Sequence, residues 1–184
     1  MEHLDIIQRL IPQSDWASPY LFLYEGEDKL RLSLEGVIQY SGLNSIGGVV
    51  LGFRMIQYAV QLAAGEQSLQ RDGISIYTAF PGRGAQDAFE YTCRALRDRR
   101  YCCDTTLHHP AAQSGQRGQF LFTIRLNEQS MVMTPANGLP RQSYFEADRH
   151  SQESRQTAWK WRDEKINFAN TLLSLPPEEC LRVL

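Results

Sequence analysis

The longest apolar pattern of this chain lies between Ile46 and Ala64 and has the spacing of a helix. Its apolar residues leave few polar interruptions, and they are Val49, Val50, Phe53, Ile56, Val60 and Ala64. An apolar face this broad is typical of a buried helix. The pattern therefore predicts a central buried helix over residues 46–64.

Shorter patterns precede the central helix. A short amphipathic helix is predicted over residues 4–11, where Pro12 ends the pattern, and a strand over 20–24, which a turn at 26–28 follows. The next segment fits two patterns. Leu30 and Leu32 alternate with polar residues as in a strand, whereas the apolar residues after Ser33 recur as in a helix. We favour a helix over 30–40.

The second half of the chain begins with a strand, a glycine turn and a helix, predicted over 74–80, 81–84 and 87–97. Residues 101–107 and 119–126 alternate as strands. We expect the loop 108–118 to join these two strands in an antiparallel hairpin or meander, to which 131–133 adds a short third strand.

The segment 137–154 is polar and is predicted to be a loop or a frayed helix. A long final helix is predicted from Ala158 to Leu172, and Pro176 and Pro177 end it. Together the patterns predict one α+β domain over residues 1–184. In it, a central buried helix and a strand-turn-helix unit pack on an antiparallel or mixed sheet, with a long helix near the C-terminus.

Charge and composition narrow the function classes. Nineteen Lys and Arg against 21 Asp and Glu give a net charge of −2, which provides no global attraction to nucleic acid or to an anionic membrane. The N-terminus has no basic region followed by an apolar one, and no apolar run reaches the roughly 18 residues of a membrane span. We therefore expect a soluble cytoplasmic protein that binds neither nucleic acid nor membrane.

Two glycine-rich turns are candidate ligand sites. The glycine-rich segment 42–55 runs directly into the apolar pattern of the central helix and contains no Cys, His, Asp or Glu. Gly82 and Gly84 flank Arg83 between a strand and a helix, where backbone N–H groups and the arginine could hold an anion. The simpler interpretation of this second turn is a connection without a ligand, because neither the dinucleotide fingerprint nor the P-loop is complete.

Cys103, His108 and His109 are the best candidates for metal or thiol chemistry, because zinc takes Cys sulfur and His nitrogen. Cys102 precedes Cys103 directly, so on a strand the two side chains face opposite sides. The alternative explanation, which we favour, is a cysteine in the core and two solvated histidines in a loop.

A basic cluster lies at the C-terminus of the predicted helix 87–97 and consists of Arg94, Arg97, Arg99 and Arg100. The helix dipole favours cations there, so capping and solvation explain the cluster without nucleic acid. Trp159 and Trp161 point about 200° apart on a helix. We expect one of them to dock on the body of the protein and the other on a partner.

Three segments resemble the E-type component of formylmethanofuran dehydrogenase and its stand-alone relatives. Residues 42–55 resemble the family's glycine-rich turn and the helix that begins Leu-Gly-Tyr/Phe-Arg-Met, here Leu51 to Met55. The strand 74–80 followed by 84–88 is similar to the family's strand and Gly-x-Asp-Ala helix start, with one extra residue. Residues 172–183 resemble the closing helix, Pro-Glu-Glu turn and final apolar strand.

The resemblance covers residues 33–184, so that 1–32 would form an N-terminal helix and strand extension. It implies an α+β fold and a homodimer. Family members carry a His-Gly-His-x-Cys-Pro-Gly metal motif where this chain has residues 41–47, and a Cys before the glycine of the second segment. This chain has neither, so the resemblance does not carry over the metal site or an enzymatic role, and no cofactor is indicated.

The first hypothesis is a non-catalytic or repurposed relative whose former metal pocket binds a small anionic ligand or a protein partner. Arg54 and Arg83 would meet the anion, and Asn44 and Ser45 would donate hydrogen bonds. The full set of expected pocket residues is Asn44, Ser45, Gly47, Gly48, Arg54, Arg83 and Asp87. Alternatively, Arg54 pairs with a carboxylate such as Asp87 and only joins two helices.

Two further hypotheses belong to other classes. One is a zinc- or thiol-dependent enzyme that uses Cys103, His108 and His109, which a metal assay would distinguish from the first hypothesis. The other is an RNA-associated protein that uses Arg97, Arg99, Arg100 and the helix of Trp159, which would require salt-dependent binding of oligonucleotides.

Overall fold

The structure is a computed structural model that describes residues 18–63 and 69–184, so the helix predicted over 4–11 lies outside the described residues. The fold is α+β, as the sequence patterns predict. Its elements are β1 (Tyr20–Glu25), β2 (Asp28–Ser33), α1 (Leu34–Ser41), α2 (Ile46–Ala63), β3 (Ile74–Thr78), α3 (Arg83–Cys93), β4 (Tyr101–Cys103), β5 (Phe122–Leu126), β6 (Gln129–Pro135), α4 (Gln142–His150), α5 (Arg155–Ser174), α6 (Pro177–Cys180) and β7 (Leu181–Val183).

The main sheet has five strands in the order β4-β3-β5-β6-β7. β4 runs parallel to β3, and the remaining neighbours are antiparallel. β3, α3 and β4 therefore form a strand-helix-strand unit at one side of the sheet. β1 and β2 form a separate two-stranded hairpin.

The predicted hairpin between residues 101–107 and 119–126 is wrong. β4 is three residues long and pairs with one side of β3, while β5 pairs with the other side, so that Tyr77 lies between Cys102 and Thr123. The strand ends early because the Asp104 carboxylate accepts hydrogen bonds from both the backbone N–H and the hydroxyl of Thr106, which forms a local turn. The third strand predicted over 131–133 is confirmed within β6.

Both patterns in the segment 30–40 are correct, each for its own part. Residues 28–33 form β2, in which Leu30 lies opposite Leu23, so the helix that we favour for the whole segment is wrong up to Ser33. α1 then begins at Leu34. Ser33 is its N-cap, and its hydroxyl accepts a hydrogen bond from the N–H of Gly36 at 3.0 Å.

The predicted central helix is confirmed as α2, whose side chains form the middle of the hydrophobic core. By length and mean hydropathy the segment Leu43–Ala63 could also cross a membrane, although it is not a continuous apolar run. However, 67% of its 18-residue apolar window is buried inside the protein, as in the core helix of a soluble protein. Glycines let neighbouring helices approach α2 closely. A Cβ at Gly52 would lie 2.8 Å from that of Ala88 on α3, and one at Gly47 would lie 3.2 Å from the carbonyl oxygen of Lys165 on α5.

α3 begins and ends four residues earlier than predicted. It ends at Cys93 because Arg94 has a φ of 53°, the left-handed conformation of a helix end. Two arginines hydrogen-bond its last carbonyl groups: Arg71 Nε donates to Thr92, and Arg100 Nη2 donates to Cys93. The predicted capping role is thus seen for Arg100 of the basic cluster.

Two helices form the layer nearest the C-terminus. The segment 137–154, predicted to be a loop or a frayed helix, contains α4, whose Tyr144 and Ala147 are buried. The predicted long helix is confirmed as α5. Ser154 caps it by accepting a hydrogen bond from Thr157 N–H, and the helix ends just before Pro176.

Candidate functional site

A cavity of about 400 Å³ lies where the N-terminal ends of α2 and α3 meet α4 and α5. Its volume falls within the range of about 300–1,000 Å³ typical of small-molecule sites. The polar side is formed by the two helix starts and by the loop 115–118, and the apolar side is formed by aromatic rings. The lining residues are Asn44, Ser45, Gly48, Phe80 to Gly84, Gln86, Gly115 to Gly118, Phe120, Tyr144, Phe145, Asp148, Trp161 and Lys165.

Glycines allow the two helix starts to pack directly on each other beside the cavity. A Cβ at Gly84 would clash with the carbonyl oxygen of Ser45 and would lie 2.8 Å from the nitrogen of Val49. A Cβ at Gly48 would lie 3.1 Å from the nitrogen of Ala85. The glycine-rich segment before α2 therefore serves helix packing as well as the cavity wall.

The N-terminus of α3 offers free hydrogen-bond donors. Gly82 occupies the N-cap position, and no side chain of the described residues caps the helix. The N–H groups of Ala85 and Gln86 donate to the carbonyl of Gly82, but those of Arg83 and Gly84 have no partner among the described residues. Unpaired N–H groups and the helix dipole both favour an anion at this position.

Within the described chain, three cationic side chains and one carboxylate line the cavity: Arg83, Arg117, Lys165 and Asp148. No ion pair joins any of these four to another described residue. Arg83 and Arg117 are exposed at the cavity rim. A ligand at this position would therefore meet an excess of positive charge.

Burial perturbs the two charged groups on the inner side of the cavity. It raises the pKa of the Asp148 carboxyl above its usual value, and the nearby charges of Arg117 and Lys165 oppose this shift. Burial likewise lowers the pKa of the Lys165 ammonium, while Asp148 opposes that shift. Lys165 also donates a hydrogen bond to the carbonyl oxygen of Asn44, which connects α5 to the turn before α2.

The apolar side of the cavity is a set of aromatic rings in mutual contact. Phe80 stacks on Phe120 with 4.2 Å between ring centroids, and Phe145 packs edge-on against Phe120 at 5.9 Å. Trp161 packs edge-on against Tyr144 at 4.6 Å. Phe120 and Tyr144 are buried and also line the cavity, and their contacts with the half-buried rings of Phe80, Phe145 and Trp161 restrict the orientation of these three rings.

Tyr144 contributes a polar group to this aromatic wall. The side chain is only 8% exposed and lines the cavity, yet its hydroxyl forms no hydrogen bond with any residue of the described ranges. Burial raises the pKa of this hydroxyl, so it stays protonated at neutral pH and can donate. The hydroxyl oxygen is not fully buried, and because Tyr144 lines the cavity it is a candidate contact for a bound molecule.

The structure brings four of the seven expected pocket residues to the cavity. Asn44, Ser45 and Gly48 lie on the α2 side, and Arg83 lies on the α3 side. The two glycine turns are therefore close together, as the first hypothesis requires.

The other three expected pocket residues lie elsewhere. Gly47 faces α5. Arg54 is 2% exposed, and its Nη2 donates to the carbonyl oxygen of Leu175 at 2.9 Å, which connects α2 to the end of α5. Asp87 accepts a hydrogen bond from the Ser41 hydroxyl at 2.6 Å and so joins α3 to α1. The alternative pair between Arg54 and Asp87 does not form either.

Cys103, His108 and His109 do not form a metal-binding group. Among residues 18–63 and 69–184, no three Cys, His, Asp or Glu side chains are grouped so that they could hold an ion. His108 is exposed, and Nδ1 of His109 accepts a hydrogen bond from the backbone N–H of Ala111. This part of the described chain therefore gives no geometric support to the zinc or thiol hypothesis.

The basic cluster and the tryptophans also differ in their environments. Arg97 and Arg99 are exposed, whereas Arg100 is engaged with backbone carbonyls at the end of α3. Trp161 packs on the body against Tyr144, as expected for one of the two tryptophans. Trp159 is 52% exposed and lies under the guanidinium of Arg162.

Fifteen of the nineteen described lining residues are not among the pocket residues expected from the sequence. Arg117 lies between Gly115 and Gly118, which resembles the glycine-flanked arginine of the other turn and is a usable signal. Tyr144 and Phe145 are adjacent aromatic residues inside a segment that is otherwise polar. No local signal places Lys165 next to the turn before α2, because that contact depends on how α5 packs.

Comparisons with known proteins add no relatives to this picture. No protein-family model matches the chain, and no curated protein sequence matches it.

Proposed function

We propose that this protein binds a small anionic ligand in the cavity between the N-termini of α2 and α3. The proposal rests on the hydrogen-bond donors and positive charges around Arg83. Its backbone N–H and that of Gly84 are uncapped donors at the start of α3, and its guanidinium and that of Arg117 line the same cavity without an ion pair to a described residue.

The resemblance to the E-type component of formylmethanofuran dehydrogenase supports a repurposed site within this proposal. Residues 41–47 stand where the family has its metal motif, and two of them, Asn44 and Ser45, line the cavity. The described lining does not fit the metal, because it contains no His or Cys and Asp148 is its one carboxylate. We propose that this chain is a divergent, homodimeric relative in which an anion takes the place of the metal.

The shape of the site favours a small ligand over a protein partner. The cavity is enclosed on one side by rings held in contact with one another and on the other by helix starts, and such concave sites hold small molecules. Nothing among the described lining residues supplies a nucleophile with a base and an orienting group, so binding is the function that the site supports best.

Calorimetric titration with inorganic phosphate tests the proposal. The expected result is saturable binding at one site per chain, weakened at least tenfold by Arg83→Gln and by Arg117→Gln. Arg97→Gln is the matched control, since Arg97 is an exposed arginine outside the cavity. Equal binding by all three variants, or the absence of saturable binding, would contradict the proposal.

A further inference from the structure

We propose that the anion which this cavity takes carries an aromatic ring, so that its ligand is an aromatic phosphate or carboxylate. This inference rests on the proposed function and names the chemical class of its ligand. Simple aromatic acids and nucleotides share this chemistry.

The first reason is the composition of the apolar wall. Three half-buried rings, those of Phe80, Phe145 and Trp161, line the cavity. The buried rings of Phe120 and Tyr144, which also line the cavity, hold them in place through stacked and edge-on contacts. Aromatic surfaces that are already fixed bind a planar ring at a low cost in side-chain entropy.

The second reason is that the polar and aromatic sides border a single cavity. An inorganic anion at the start of α3 would contact Arg83 and Arg117 but would leave the ring-lined part without a partner. A ligand with both parts would use the whole volume of about 400 Å³. The lining combines polar and apolar surface in comparable amounts, so a ligand with an anionic group and a ring has a partner for each part.

The third reason is the Tyr144 hydroxyl. It is a donor within the aromatic wall, it belongs to a side chain that is 8% exposed, and no described residue accepts from it. It would be satisfied by an acceptor atom on or next to the bound ring. The ligand class therefore includes rings that carry an oxygen or nitrogen acceptor as well as the anionic group.

The test compares three probes with the same anionic group. We expect phenyl phosphate to bind at least tenfold more tightly than cyclohexyl phosphate or inorganic phosphate, because only the phenyl ring can stack on the wall. Equal affinities of the phenyl and cyclohexyl esters would overturn this inference while leaving the proposed function intact. If none of the three probes shows binding that depends on Arg83, the proposed function itself is contradicted.

Variants of the aromatic wall test which rings produce the preference for phenyl phosphate. Phe145→Leu keeps the apolar volume but removes a ring, and we expect it to reduce the preference for phenyl phosphate at least threefold. Trp161→Leu provides a second test of the same wall. Trp159→Leu is the matched control, because Trp159 lies outside the cavity on the same helix. Unchanged melting temperatures establish folding, and an unchanged phenyl preference in both wall variants would contradict the inference.

Two further pairs of probes distinguish the sources of the ring. Adenosine 5′-monophosphate is compared with ribose 5-phosphate, and benzoate is compared with cyclohexanecarboxylate. Tighter binding of adenosine 5′-monophosphate than of ribose 5-phosphate indicates a nucleotide. Tighter binding of benzoate than of cyclohexanecarboxylate, without a preference in the first pair, indicates an aromatic carboxylate. An absence of preference in both pairs would contradict the inference.

Discussion

Arg54 of α2 donates a hydrogen bond from Nη2 to the carbonyl oxygen of Leu175, the residue that follows α5, at 2.9 Å. The two residues are far apart in the chain, and Arg54 is almost completely buried. The bond ties the core helix to the C-terminal turn. An arginine that the sequence suggests as an anion ligand is therefore a structural residue.

Truncation of this side chain should affect stability and not binding. Arg54→Ala removes a large buried side chain and leaves the Leu175 carbonyl without this donor, so we expect the free energy of unfolding to fall by about 2–5 kcal/mol. Chemical denaturation measures this change. In the folded fraction, phosphate affinity should stay at the wild-type value. A variant of normal stability that no longer binds phosphate would indicate that Arg54 is part of the ligand site.

The contact between α2 and α3 predicts a ranking of two glycine variants. Gly84→Ala would place a Cβ against the Ser45 carbonyl oxygen, whereas Gly52→Ala would place one 2.8 Å from the Ala88 Cβ. We expect the free energy of unfolding of both variants to fall by about 1–3 kcal/mol or more. Gly84→Ala should be the less stable of the two, because a backbone carbonyl moves less easily than a small side chain. Urea denaturation of both variants gives the order. Equal stability of Gly84→Ala and wild type would contradict the close packing of the helix starts.

Asp148 should weaken anion binding at neutral pH. Burial raises its pKa, and the groups around it are Arg117, Lys165 and the Tyr144 hydroxyl. As the pH falls through this raised pKa, the carboxylate is neutralised, and the affinity for an anion should increase. Sulfate is a suitable probe, because its charge is constant over this range.

Asp148→Asn is the matching variant. We expect it to bind sulfate several-fold more tightly than wild type at pH 7 and to lose most of the pH dependence between pH 4 and 7. The stability of the wild type should also fall relative to this variant as the pH rises through the raised pKa, since the folded state disfavours the ionised carboxyl. Identical pH profiles of wild type and variant would show that Asp148 does not act on the bound anion.

Removal of metal ions should leave the protein unchanged. Among the described residues no group of Cys, His, Asp and Glu is arranged to hold an ion, and Cys103 and His109 have other environments. We expect untagged protein treated with a chelator to keep its melting temperature and its phosphate affinity. One zinc per chain in elemental analysis, lost in a Cys103→Ser variant, would instead support the alternative of a zinc- or thiol-dependent enzyme.

Much of the fold follows from local patterns, whereas the site does so only in part. α2 and α5 are predictable because their periodic patterns are long and have clear ends. The pairing predicted for β4 is wrong because sequence neighbours are the default strand partners, while here β3 lies between β4 and β5. Pairing across a strand-helix-strand unit depends on tertiary packing, which a single sequence does not show.

The candidate site is likewise predictable only where a local pattern marks its residues. The start of α3 is marked by its glycines, so Arg83 could be predicted. Lys165 and Asp148 carry no local signal, because they reach the cavity only through the packing of α4 and α5 on α2. Arg54 lies outside the described cavity lining, because a long arginine side chain can lie in the core and donate to a distant carbonyl.

An NMR titration of ¹⁵N-labelled protein with phosphate tests the anion site most directly. The backbone amides of Arg83 and Gly84, which are the uncapped donors of α3, should shift in a saturable way, together with those of the loop 115–118. Small, non-saturating shifts distributed over the surface, or shifts centred on the basic residues 94–100, would contradict a built anion site at this cavity.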